Sequence, residues 1–339
     1  MKAIKHIYEE HYKKLLIIPF TLLILAIIQI AVQTAVTGDF VNKGVTLKGG
    51  TTITIIKDIE ISNQELQDFL KTKFPKGDIS VRSLAKETIV EADAQKLEEI
   101  NAITAALKEE LQLTQDDYTV ETMGSSLGAS FFRETFKAVI IAFLFMGLIV
   151  FFYFCEELKP KIISTILTVI VISIVYSTNL IIPLIIALII TIAILVIYTK
   201  YSIPSVAVIL AAFSDIIITV SIVNLLGIKL STAGIAAFLM LIGYSVDTDI
   251  LLSTRVVKRK EGTIMERIYS SVKTGMTMTL TTIVAIIVVL IFSRSEVLDQ
   301  IMTIVLIGLF VDLINTWIQN TGLLRWFMEK KYKHHEENE

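Results

Sequence analysis

The chain has 339 residues, 54% of them hydrophobic, with a mean hydropathy of +0.70, which excludes an ordinary soluble domain and defines a polytopic membrane protein. A formal net charge of -2 provides no field for binding nucleic acid. The single cysteine, Cys155, and the absence of a Cys/His cluster at ligand spacing exclude an internal disulfide and a zinc site, and no cofactor is expected.

The first apolar run, "LLIIPFTLLILAIIQIAV", follows Lys2, Lys5, Lys13 and Lys14. It is too long for the core of a cleaved signal peptide, so it reads as a retained first helix over 15–35 after a cytoplasmic N-terminus, 1–14. Residues 38–130 change character and read as a folded insert. "TTITIIKDI" is a strand rich in β-branched residues, and Ser62 is the N-cap of a helix in "SNQELQDFLKTKF". "DISVRSL" and "ETIVEAD" form a hairpin, "AQKLEEINAITAALKEEL" an amphipathic helix and "DDYTVETMG" a last strand. The order is βαββαβ, a ferredoxin-like α+β pattern.

Beyond Gly128, apolar runs near 135–154, 161–179, 182–199, 204–226, 232–253, 275–293 and 299–320 make eight spans with the first helix. They form one bundle over 133–320, followed by a basic cytoplasmic tail, 321–339. "STNLIIP" breaks the run from 161 to 199 into a hairpin of two spans rather than a re-entrant element. The N-terminal segment, the loop with Arg255, Lys258, Arg259, Lys260, Arg267 and Lys273, and the tail are basic, while the loops at Lys229 and Arg294 carry one cation each. The expected topology is therefore a multi-pass cell-membrane protein with both termini cytoplasmic and 38–130 extracytoplasmic.

Acids inside spans point to function by default, because lipid makes them costly. Asp215 lies midway along its span, and Asp312, Asn315, Thr316 and Gln319 share one helical face. Thr274, Thr277 and Thr281 make a further stripe suited to packing on a neighbour. In "GYSVDTDILLSTRVVKRK", Asp247 and Asp249 are about 200° apart around a helix, so only one faces the bundle with ease. Asp247 is the expected inward acid with Asp215 as its companion, and Asp249 is the residue expected to be structural. Arg255 lies too far along the axis to pair with Asp247 and marks the cytoplasmic interface.

"GVTLKGGTTITI", residues 44–55, and "MGSSLGASFFRETFKA", residues 123–138, resemble the segments that flank the inserted domain in the SecD/SecF family of protein-export membrane proteins. "AAFSDIIITVSIVNLLGIKLSTAGIAAFLMLIGYSVDTDILLSTR", residues 211–255, is similar to the SecF branch, most of all its archaeal form. The resemblance implies half of an RND-related transporter fold, and an accessory that works with SecD beside the Sec translocon channel (the SecY complex) on exported preproteins, among membrane lipids. It implies proton coupling through Asp215 and Asp247, with Lys273 as a secondary candidate, while Asp249 and Asp312 are secondary candidates as acids inside spans, each equally suited to a structural role. Asp215 follows Ser214 where bacterial SecF has a histidine, Asp247 matches the acid of the SecD "GxxVD" segment, and the bacterial SecF acid falls opposite Thr248. Lys273 stands near the family's basic residue at the start of the next span. SecF usually has six spans, so 156–202 reads as an added hairpin.

A carboxyl group desolvated in a bundle can exchange a proton near neutral pH, where a surface Asp does not. Such an exchange would change helix packing and tilt the outer domain, with Gly44, Gly49 and Gly50 as the hinge at the membrane. The chain is not expected to be an enzyme. It lacks the GxGD of an intramembrane aspartyl protease, and a small-molecule RND exporter would have about twice the length and two inserts.

Overall fold

The computed structural model describes residues 11–336 apart from 58, 60, 76, 85–86, 178–179, 260 and 294. Lys2, Lys5, Lys260 and Arg294, which entered the charge argument, lie outside the described residues. A short turn, Tyr12–Leu15, leads into helix α1, Ile17–Thr37, the first span.

The inserted domain follows as β1 (Gly50–Ile55), α2 (Asn63–Lys73), β2 (Ile79–Leu84), β3 (Glu87–Ala92), α3 (Leu97–Leu111) and β4 (Tyr118–Met123). The strands pair antiparallel in the order β2-β3-β1-β4, the split βαβ arrangement of a ferredoxin-like sheet. Alternation along β1 decides which face is covered: Ile53 and Ile55 point into the core while Thr52 and Thr54 stay half-exposed. Leu66 and Leu70 of α2, with Ile100, Ile103 and Leu107 of α3, close that face. Ser62 starts α2 with a reciprocal capping box to Glu65.

The remaining helices are α4 (Ser125–Phe154), α5 (Leu158–Ser177), α6 (Ile181–Tyr201), α7 (Ile203–Leu225), α8 (Thr232–Ser253), α9 (Ile264–Phe292), α10 (Glu296–Ile314) and α11 (Thr321–Glu336). A π-helical turn, Thr254–Lys258, extends α8, and another, Asn315–Asn320, joins α10 to α11 without a break. Eight helices among the described residues are long and apolar enough to cross a membrane.

Helices α4 and α9 begin about ten residues before the apolar runs that signal them. Hydropathy marks only the lipid-buried length, whereas the first turns of α4 pack on the inserted domain, with Gly128 against Leu47 and Gly49. A Thr263–Glu266 capping box fixes the early start of α9. The segment expected as a basic tail is helical as α11, because Leu324 and Met328 bury against the end of the bundle.

The α5–α6 hairpin lies at the rim, where Tyr198 stacks on Phe151 of α4 with ring centroids 4.1 Å apart. In the most apolar window of α6 only 17% is buried, against 67% in α7 and 56% in α8, so α7 and α8 form the centre. Small residues allow this: Ala207, Ala211, Ala212 and Ser214 on α7 are almost fully enclosed. Gly275 of α9 seats the Trp317 ring, whose carbon lies 2.4 Å from where a Cβ would stand. Gly275→Val is therefore expected to push Trp317 and the π turn outward and to cost about 1–3 kcal/mol, read as a lower unfolding temperature in detergent.

Candidate functional site

Three aspartates meet where α7, α8 and α10 cross. Asp215 of α7, Asp249 of α8 and Asp312 of α10 are at most 1% exposed. Ser245 Oγ donates to Asp215 Oδ2 at 2.5 Å, and Asn315 Nδ2 donates to Asp215 Oδ1 at 2.7 Å. Asn320 Nδ2 donates to Asp249 Oδ1 at 2.7 Å. The Thr316 hydroxyl lies 2.9 Å from both Asp249 Oδ1 and Asp312 Oδ1. Since a hydroxyl carries one hydrogen, Thr316 serves one of these carboxylates at a time.

The π turn explains how four polar residues reach this point. Its wider winding turns Asn315, Thr316, Gln319 and Asn320 to one side, and all four are fully buried. Gln319 Nε2 extends the network to Ser214 Oγ at 3.1 Å, beside Asp215. Asp249 Oδ2, Asn315 Oδ1, Gln319 Oε1 and Asn320 Oδ1 are buried with no hydrogen-bond partner among the described residues. All are acceptors. The cluster therefore holds more acceptor oxygens than hydrogens, and its recorded partners are neutral hydroxyls and amides rather than cations.

The structure reverses the expectation for α8. Asp249 faces the cluster, whereas Asp247 is exposed on the outer surface of the helix, as are Gly243 and Tyr244. The phase follows from Ser245, Thr248 and Leu252, which are buried on the inner side with Asp249. Asp215 and Asp312 lie where an inward acid was expected. Lys273 is exposed on α9, whereas the three acids of the cluster are buried. Arg255 bonds to Ser270 and to Thr274 Oγ1 at 3.0 Å, while Thr277 and Thr281 point outward and bond to carbonyls of their own helix.

Sequence reasoning missed Ser245 and Asn320. Asn320 was within reach, eight residues after Asp312 and near the same helical face, whereas Ser245 shares the face of Asp249, which the sequence does not turn inward. Among the described residues no set of three His, Cys, Asp or Glu side chains is placed to hold a metal ion.

At the junction with the inserted domain, Gly49 and Gly50 adopt φ of +91° and +133°. A Cβ on Gly50 would stand 2.5 Å from the Ala92 carbonyl oxygen, and one on Gly49 2.5 Å from Ser125 Cα. Gly44 differs from the hinge expectation, since its backbone is extended. It allows close approach instead, its N–H donating to Leu230 O at 2.8 Å.

These features define a polytopic helical membrane protein with an acid cluster in its central helices and one ferredoxin-like domain inserted after the first. Residues 171–330 match the family described as protein export membrane protein SecD/SecF, C-terminal. The protein-export membrane protein SecF of Pyrococcus furiosus is 33% identical over 332 residues, 97% of this chain and 96% of the relative. SecF of Methanocaldococcus jannaschii is 33% identical over 94% of this chain and 96% of its own length. The chain belongs to the SecD/SecF family of protein-export membrane proteins, within its SecF branch. The crystal structure of SecDF, a translocon-associated membrane protein from Thermus thermophilus, has the same fold over 94% of this chain, with a TM-score of 0.59 and 19% identity. This chain spans 38% of that one.

Proposed function

We propose that this chain is one half of an accessory complex for protein export, paired with a SecD partner beside the Sec translocon channel and acting on exported preproteins. The observation that carries this reading is the likeness to archaeal SecF over nearly the whole of both chains. In this reading both termini are cytoplasmic and the ferredoxin-like domain is extracytoplasmic, as the basic loops favour.

The outer face of α8 supports a partner. An exposed acid within a span is costly against lipid, and Asp247 with Lys273 on α9 would be covered by helices of the SecD half. The buried cluster supports proton coupling. Three ionised carboxylates with only neutral partners would repel one another, so Asp215, Asp249 and Asp312 share protons as a set. Gaining or losing a proton redirects the Thr316 hydroxyl between Asp249 and Asp312 and so changes how α8 packs on α10.

Pull-down of the tagged chain from native membranes tests the partnership. SecD and the channel subunits are expected to co-purify with it. A chain that purifies alone and restores export without SecD overturns the reading.

A further inference from the structure

Glu91 of β3 is 5% exposed and lies between Arg82 Nη2 at 3.0 Å and Lys229 Nζ at 3.6 Å. Lys229 also donates to Ser80 Oγ of β2 at 2.6 Å. Arg82, Ser80 and Glu91 belong to the inserted domain, whereas Lys229 belongs to the loop between α7 and α8. The contact therefore bridges domain and bundle.

That loop gathers the helices that hold the acid cluster. It joins α7, with Asp215, to α8, with Asp249. Gln300 of α10, the helix with Asp312, donates from Nε2 to Lys229 O at 2.6 Å. Its other side holds the chain entering the domain, where the Leu230 N–H donates to Asn42 O at 2.7 Å. A relative shift of the three helices has to move Lys229.

We propose that Lys229 is a releasable clasp that transmits movements of α7, α8 and α10 to the inserted domain, which pivots on Gly49–Gly50 and Gly124 when the Lys229–Glu91 pair opens. The charges are arranged for opening without an orphaned ion. Glu91 keeps Arg82 when Lys229 leaves, so no unpaired buried carboxylate results. The Lys229 side chain is already 27% exposed. A cavity of about 20 Å³ beside it, bounded by Lys48, Asp78 and Asp93, has room for a water to take its place. Both covalent connections run through glycine, the residue with the widest backbone range: Gly49 and Gly50 on entry, and Gly124 on exit, where nothing stands within 4 Å of a Cβ. The clasp does not depend on protons being what moves the helices.

Spin labels on the full chain in lipid nanodiscs test this, with the buried Cys155 replaced by serine. One pair, Glu109→Cys with Leu225→Cys, joins exposed sites on the domain and on α7. A second pair, Glu109→Cys with Asp68→Cys, lies within the domain. Lys229→Met is expected to broaden the first distance distribution at least about twofold, Lys229→Arg to keep it narrow, and the second pair to stay unchanged throughout. A first distribution as narrow in Lys229→Met as in the parent overturns the clasp. So does broadening of the internal pair, which would make Lys229 a structural support of the domain.

Discussion

Asp249→Ala is expected to lower the stability of the chain in detergent by about 1–3 kcal/mol. The substitution takes the acceptor from Asn320 at a fully buried point and leaves Thr316 only Asp312, and an unsatisfied buried donor costs about 1–3 kcal/mol. Asp249→Asn separates packing from proton exchange. It keeps a side-chain oxygen for the same donors, so it is expected to cost less than about 1 kcal/mol. Export supported by it is nonetheless expected to fall at least about tenfold, because an amide cannot take up the shared proton. Thermal unfolding of the purified variants and export in reconstituted vesicles read the two effects separately. Equal losses of stability in both variants, with export following stability, would reduce Asp249 to a packing residue.

The second large effect is expected at the Gly49–Gly50 turn. Gly50→Ala places a Cβ against the Ala92 carbonyl oxygen at a φ of +133°, where neither the backbone nor the neighbour yields cheaply. The cost is about 3 kcal/mol or more, because backbone strain and a backbone clash act together. β1 pairs with both β3 and β4, so its loss opens the sheet, and limited proteolysis should cut within residues 50–123. Gly124→Ala is the control, since its φ is negative and the space around it is open. It should leave the protease pattern unchanged.

The span order was readable from hydropathy alone, because a lipid-crossing helix is set by length and apolarity. The βαββαβ order was readable as well, since the β-branched alternation of "TTITI" and the Ser62–Glu65 spacing are local signals. The face of Asp312, Asn315, Thr316 and Gln319 followed from helical spacing. The rotation of α8 did not. "GYSVDTDILL" places small or polar residues on both sides, so nothing local tells whether Asp247 or Asp249 turns inward, and the donors Thr316 and Asn320 of the π turn, which bond to Asp249, lie outside the helix. The π turn was illegible for a similar reason: its winding is held by tertiary contacts such as Trp317 against Gly275. Lys229 read only as a lone cation in a short loop, because its partners, Glu91 and Ser80, are far away in the chain.

The central claim is that the buried aspartates couple a proton gradient to export. Preprotein translocation into proteoliposomes containing this chain, SecD and the channel, with and without an imposed proton gradient, tests it most directly. The gradient is expected to stimulate translocation by the parent. Asp215→Asn and Asp249→Asn are expected to fold, bind SecD and translocate at the rate without a gradient, and Asp247→Asn reports whether the outer acid takes part. Undiminished stimulation in both buried-site variants would contradict the account.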